Sequence, residues 1–462
     1  MKRVLIVFSS ALLMLASSAA SATDLLQAWQ AAQMHDPEIA AAQAAFEAGN
    51  TRRDQARALW RPSVALTAAA GRMTSDSSMS GAQFSAPGFG QSTGVAFDTS
   101  IRDGNLERYL LTAKQPLLNR GLSAQSRQLS LAAEMADAEW QNARQALMLR
   151  VTERYFDVLV ASETVRLMRQ QQTAVERALA EARDRFQLGS VPVTDTYEAA
   201  ARAETIKAQV MAAEMDLQLK QVAYADLTGQ EPQELATLRS TADIAPRSLP
   251  PIESWIAEAS LHNPMLLIQA KSQDVAREEV AKHSALSAPS LDLVAQMGRD
   301  RLVGSGDFGN AENNAGNRMI GVQLTIPIFT GGYRSAQHEE AIHLVDKARA
   351  EGERLHQQIA LQTRAAWLGI TVGGSRVAAL EQAHKASQSR LDATRLGRSV
   401  GDRTTLDLLN AENEATGAEL ALLQARTAVA LDRLRLAAVA GSLNESALRS
   451  VNDMMQHSSV TQ

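Results

Sequence analysis

Trp29, His35-Asp36-Pro37 and Pro62-Ser63, the last leading into an alternating stretch, return as Trp255, His262-Asn263-Pro264 and Pro289-Ser290. The offset is 226 at the tryptophan and 227 at both prolines. Further along, Pro116 matches Pro327 at an offset of 211, and Tyr155 with Trp367, Gly189 with Gly401, Asp195 with Asp407 and Gly229 with Gly441 all match at 212. The fall in offset puts about 16 additional residues into the first copy, between its Pro-Ser and its second proline. Two ordered copies of one unit imply a pseudo-symmetric assembly, not a single asymmetric active site.

Outward from these landmarks the chain is dominated by helix. After Gly121 there is neither proline nor glycine until past Leu188, and Ala, Leu, Gln, Glu and Arg prevail, so a helix is expected over 121–188. At about 1.5 Å per residue it is roughly 100 Å long, a rod with no place in a compact globular domain. Its counterpart is expected over 335–400, interrupted only by Gly352, Gly369, Gly373-Gly374 and Gly397. Return helices follow at 195–227 and 405–439, and helices at 24–59 and 252–286 precede the strands. Apolar residues and alanine are spread around these helices, which suits packing on two sides, as in a coiled-coil wall.

The strands are few and paired. Val64, Leu66, Ala68 and Ala70 alternate, as do Leu291, Leu293, Ala295 and Met297, and Ile320, Val322, Leu324 and Ile326. Strands are expected near 62–73, 107–116, 289–298 and 318–327, each long enough to cross a bilayer when tilted. The stretches between them, 73–105 and 298–317, are rich in Gly, Ser and Asn and are expected as outward-facing loops. Four strands close no barrel, and open edges are not tolerated in lipid, so membrane strands here require several copies of the chain.

Residues 1–22 read as a secretory signal, with Lys2-Arg3, a largely apolar run from Val4 to Leu15 and the small residues Ala20-Ser21-Ala22. Repeat one then occupies 23–245, repeat two 246–445, and 446–462 is expected as a loose polar tail. The proline-rich segment Ala245-Pro246-Arg247-Ser248-Leu249-Pro250-Pro251 joins the repeats. Without Lys2 and Arg3 the net charge is −7, which offers nothing to nucleic acid. Cysteine is absent, which removes disulfides, thiolate metal sites and a lipid-bearing N-terminal cysteine. No later run of 18 apolar residues forms a membrane helix.

Two motifs carry no chemistry. Gly304-Ser305-Gly306-Asp307-Phe308-Gly309 has dinucleotide-binding spacing, but it lies between two strands and opens no helix. His338 and His343 stand five apart, where a zinc helix requires four. His35 and His262, each before a prolyl segment at matched repeat positions, shape a turn between helices. No catalytic residue, metal site or cofactor site is expected, and the enzyme classes have no motif to rest on.

The order of helix, Pro-Ser strand, loop, strand ending Gln115-Pro116-Leu117-Leu118, very long helix, glycine turn and return helix, all duplicated, resembles the TolC family of outer-membrane channels. The most specific segments are Arg185-Phe186-Gln187-Leu188-Gly189 with Thr194-Asp195, Ile326-Pro327-Ile328-Phe329-Thr330-Gly331-Gly332, and Ser399-Val400-Gly401-Asp402-Arg403-Thr404-Thr405-Leu406-Asp407-Leu408-Leu409-Asn410. The resemblance runs from Asp24 to about Leu448. It implies an α+β membrane protein: a homotrimer with a twelve-stranded β-barrel in outer-membrane lipid, continued by an α-helical barrel across the periplasm. It further implies a passive exit duct for type I secretion or multidrug efflux, docked through a periplasmic adaptor to an ABC or proton-driven inner-membrane transporter. By resemblance, Asp407 and Asn410 line the narrowest ring beyond the turn glycines Gly189 and Gly401, and Thr194, Asp195, Arg398 and Arg403 form the gate lock, with both arginines on Asp195. Asn410 departs from the paired acidic rings of the family's best-known member, which weakens cation preference, and Arg398 replaces the usual tyrosine. Thr404 to Asp407 also has capping-box spacing, and Asp195 with Glu198 equally suits a helix start. An exported coiled-coil spacer or adhesin is the alternative.

Overall fold

The computed structural model describes residues 23–456 apart from Phe89, Gln233, 240–243 and 245–247. The signal segment, Ala245 to Arg247 of the linker and the last six residues lie outside the described residues. In chain order the elements are α1 (Leu25–His35), α2 (Pro37–Ala58), β1 (Ser63–Ala86), β2 (Gly90–Leu118), α3 (Arg120–Gln187), α4 (Val193–Thr228) and β3 (Thr237–Leu238). They continue with α5 (Ile252–His262), α6 (Pro264–Ala285), β4 (Ser290–Gly306), β5 (Gly309–Thr325), α7 (Tyr333–Ser399), α8 (Thr405–Val439), α9 (Glu445–Asn452) and β6 (Met455–Gln456). The helices expected over 24–59 and 252–286 are each split, at Asp36-Pro37 and Asn263-Pro264, because proline lacks the N–H that would continue the preceding helix.

The chain divides into two compact units, one formed by Glu47–Asp137 with Gln269–Gly352 and the other by the remaining described residues. The first unit carries an antiparallel sheet in the order β1-β2-β4-β5. Its register sorts the side chains by face. Val64, Ala113, Ala295 and Ile320 form one cross-strand row, Leu66, Leu111, Met297 and, at its end, Arg318 the next, and Leu293 pairs with Val322 and Leu291 with Leu324. Successive residues of a strand point to opposite sides, so these rows share one face. That face is aliphatic and open, with Ile320 77 % exposed and Leu66 69 % exposed. The opposite face carries ion pairs among apolar residues such as Leu110, Val294 and Met319. Arg108 grips Asp300 with two hydrogen bonds of 2.9 and 2.8 Å, and Lys114 Nζ stands 2.9 Å from the buried Asp292.

The long outward loops expected at 73–105 and 298–317 are not loops. Both ladders run on through them, from Ser63 opposite Lys114 to Ala86 opposite Gly90, and from Ser290 opposite Thr325 to Gly306 opposite Gly309. Ladder hydrogen bonds belong to the backbone, and Gly, Ser and Asn still pair where neither face is buried. The extra residues of the first copy lie in its hairpin, which outruns its neighbour: the β2–β4 ladder stops at Arg102 opposite Ser305. The Gly304–Gly309 motif is the other hairpin's tip.

The second unit has the main core, where Leu25, Trp29, Leu147, Val151, Tyr224, Val429 and Leu434 are buried together. The duplication is explicit here. The Tyr155 hydroxyl stands 2.9 Å from the carbonyl oxygens of both Thr23 and Ala236, and its repeat counterpart Trp367 donates Nε1–H to the Pro250 carbonyl at 3.1 Å. Gly229 and Gly441, at φ +69° and +74°, end α4 and α8 against His35 and His262 respectively. Residues 446–456 also belong to this core, contrary to the loose tail expected there. Leu448 and Val451, on one face of α9, are fully buried, and β6 pairs with β3. Each such side chain contributes about 1.5–3 kcal/mol, which its polar neighbours conceal in the sequence.

The glycines of α7 do not interrupt it. A Cβ at Gly352 would stand 2.1 Å from Gln273, one at Gly369 2.1 Å from Asp432 and one at Gly373 2.8 Å from Val429. They are notches that let neighbours approach the helix backbone.

Candidate functional site: the paired glycine turns

The two long helices end in matching turns. Gly189 has φ +70°, its N–H bonds the Phe186 carbonyl at 2.9 Å, and Ser190 N–H bonds the Arg185 carbonyl at 2.8 Å. Gly401 has φ +86°, its N–H bonds the Arg398 carbonyl at 3.1 Å, and Asp402 N–H bonds the Gly397 carbonyl at 2.8 Å. A left-handed residue past the last helical turn satisfies otherwise orphaned carbonyls, and glycine adopts that conformation without steric cost.

The helices that return from these turns start differently. Before α4 stands Pro192, which provides no side-chain cap, and Asp195 lies within the first turn instead of starting the helix. Before α8 stands Thr404, whose Oγ1 accepts Asp407 N–H at 3.0 Å while the Asp407 carboxylate accepts Thr404 N–H at 3.0 Å. The Thr404 hydroxyl also donates to the same carboxylate oxygen at 2.8 Å. These backbone and hydroxyl bonds, with a smaller contribution from the nearby Arg403 and Arg390 charges, hold Asp407 below the usual aspartate range. Its carboxylate is therefore ionised, fixed in direction and open to solvent.

Charged contacts join the helices of the two repeats. Arg398 on α7 donates to Glu181 on α3, and Glu181 also accepts Arg185 at 2.8 Å. Arg202 on α4 donates Nη2–H to Asn410 Oδ1 on α8 at 2.7 Å. Within the second repeat, Arg390 on α7 pairs with Glu414 on α8, and Arg395 reaches Glu412 at 3.5 Å. Small buried clusters support them: Val175, Ala178, Ile206 and Leu409 between the repeats, and Leu391, Leu408, Ala411 and Ala415 between α7 and α8. A cavity of about 140 Å³ opens beside the turns, lined among others by Arg185, Asp195, Glu198, Arg202 and Thr404.

Within one chain the structure does not bring the residues expected in the lock onto Asp195. Arg398 is committed to Glu181, and among the described residues Asp195 has no ion pair with Arg398 or Arg403; its side-chain contact is Thr194 Oγ1 at 3.5 Å. Asp407 and Asn410 lie one turn apart at the start of α8, with Asp407 capped by Thr404 and Asn410 bound by Arg202. Glu181 and Arg202 escape a sequence reading because each sits mid-helix in a run without a motif. The repeat supplies one faint signal for Arg202: its counterpart at offset 212 is Glu414, a reversal of charge.

The profile of the outer membrane efflux proteins matches residues 28–230 and 255–442, most of both repeats. The outer membrane protein TolC of Vibrio cholerae is 29 % identical over 463 residues, covering 98 % of each chain. The alkaline protease secretion protein AprF of Pseudomonas aeruginosa is 27 % identical over 98 % of this chain and 91 % of its own length. The crystal structure of the Campylobacter jejuni CmeC outer membrane channel superposes with a TM-score of 0.72 at 15 % identity, over 98 % of this chain and 97 % of that one, and so speaks for the fold alone. With both repeats inside that profile, the chain belongs to the outer membrane efflux protein family and is an exit duct of the Gram-negative outer membrane, serving secretion or efflux.

Proposed function

We propose that three copies of this chain close one duct, whose sheets form a twelve-stranded barrel and whose long helices enclose its periplasmic part. The observation that carries this is the state of the sheet edges. The four strands alternate in direction, so the free edges β1 and β5 are antiparallel, and β5 of one copy continues the ladder into β1 of the next. Closure also sets the aliphatic rows of Ile320, Val322, Leu66 and Leu293 outward into lipid and the Arg108–Asp300 and Lys114–Asp292 pairs into the lumen. An exported coiled-coil spacer leaves that one-faced aliphatic band unexplained.

In this reading Asp407 and Asn410 ring the periplasmic constriction, and the paired turns are the gate. Arg398–Glu181 latches the helices within each copy, while Arg403 meets Thr194 and Asp195 across the seam between copies. The duct itself does no chemical work; a periplasmic adaptor and an ABC or proton-driven inner-membrane transporter supply direction, and the cargo is a polypeptide or small toxic compounds. Native mass spectrometry of the detergent-extracted protein tests the assembly. Three copies that dissociate only on heating are expected, and a monomeric or dimeric native species contradicts the proposal.

A further inference from the structure

The Arg202–Asn410 contact has no part in the latch just described, yet it lies at the constriction. Asn410 follows Asp407 by three residues on α8, so the two side chains occupy the same face about 5–6 Å apart at Cβ. Asn410 carries no charge, but its Oδ1 accepts Arg202 Nη2–H at 2.7 Å. The contact brings a guanidinium from α4, a helix of the other repeat, to the ring position next to Asp407. Arginine remains charged at every accessible pH, and an amide acceptor orients that charge without cancelling it. Had position 410 been acidic, the same contact would have been a neutral pair.

We infer that Arg202 is a second selectivity determinant of the duct: held by Asn410, it sets one positive charge beside each Asp407 carboxylate. The inference rests on the reading of Asp407 as the constriction ring. Three copies then place three carboxylates and three guanidiniums in adjacent layers. A ring of one sign filters the opposite sign, whereas adjacent layers of both signs screen one another within a Debye length of about 8–10 Å. The added positive layer lowers the constriction's preference for small cations over small anions.

The test is the reversal potential of the full-length protein in planar bilayers under a potassium chloride gradient. The potential of the parent is the reference for each variant. Arg202→Gln moves the potential toward the potassium equilibrium value, raising the cation-to-anion permeability ratio by about threefold or more as one positive charge per copy is lost from the layer beside Asp407. Arg202→Lys, which keeps the charge, stays close to the parent. Asn410→Asp by itself moves the potential in the same direction and by a similar amount, because each copy again gains one net negative charge, while Arg202→Gln with Asn410→Asp is the most cation-selective of the set. If Asp407→Asn alters the potential and Arg202→Gln does not, Asp407 is the ring and the role of Arg202 is overturned. If neither substitution alters it, the constriction lies elsewhere and both readings fall.

Discussion

Arg398 near the end of α7 donates to Glu181 on α3, so the long helix of the second repeat is tied to the long helix of the first just before both helices turn. Arg185 joins the same carboxylate from the next turn of α3. A carboxylate shared by two guanidiniums is a better anchor than an isolated surface pair, but it remains partly exposed, and such a pair contributes about 0.2–1 kcal/mol.

Arg398→Ser and Glu181→Gln are therefore expected to open the gate to similar extents. At the upper limit, about 1 kcal/mol per copy, each latch biases its own equilibrium about fivefold. Single-channel recordings should show larger or longer openings for both variants, and the double variant should exceed neither by much, since both delete one interaction. Arg403→Ser acts on a different contact, and its effect should add to theirs.

Asp407 predicts a pH dependence. Its folded-state pKa is depressed by the Thr404 N–H and hydroxyl, so the carboxylate, and the stability its cap provides, are fully present above the ordinary aspartate range. Both are lost as pH falls through the depressed value. Thr404→Ala removes the hydroxyl and leaves the backbone donor, so the loss should begin at higher pH. Conductance recorded as a function of pH for the parent and Thr404→Ala checks the direction of this shift.

Gly229→Ala and Gly441→Ala should both destabilise the second unit. Each glycine has positive φ, and a Cβ would stand 2.6 Å from His35 Nδ1 at position 229 and 2.1 Å from the His262 carbonyl oxygen at position 441. A side chain can rotate away and a backbone carbonyl cannot, so Gly441→Ala is the more damaging. Left-handed strain alone costs about 1–3 kcal/mol. Thermal melting of the purified protein should rank them in that order.

The two faces of the sheet should differ in tolerance of charge. Val322→Arg places a cation on the aliphatic face, at a cost of about 2–4 kcal/mol near the bilayer midplane. Gln323→Arg, one residue along the same strand, points to the opposite face and should leave the yield of assembled protein in the outer membrane near that of the parent. Equal loss for both would contradict the assignment of faces.

Several features are readable in the sequence by itself. The duplication follows from matched landmarks, the long helices from the missing prolines, and the membrane strands from alternation at Val64–Ala70 and Ile320–Ile326. These are local properties: helix propensity, proline geometry and side-chain period act over a few residues and leave their mark in order along the chain. The capping role of Asp407 was legible for the same reason, since Thr404 lies three residues away.

What the sequence withheld depends on partners distant in the chain. The hairpins over 73–105 and 298–317 are held by backbone pairing, which Gly, Ser and Asn do not advertise. The C-terminal helix is fixed by burial of Leu448 and Val451 in a core assembled from both repeats. At the turns, Arg398 finds Glu181 across 217 positions, and Arg202 finds Asn410 across 208. Each residue along an α-helix rotates the side-chain direction by about 100°, so the phase between packed helices decides which charge meets which. The sequence alone determined the tube-building unit and its duplication. Only the tertiary structure, by setting that phase, decided that Arg398 pairs with Glu181 and that Arg202 meets Asn410.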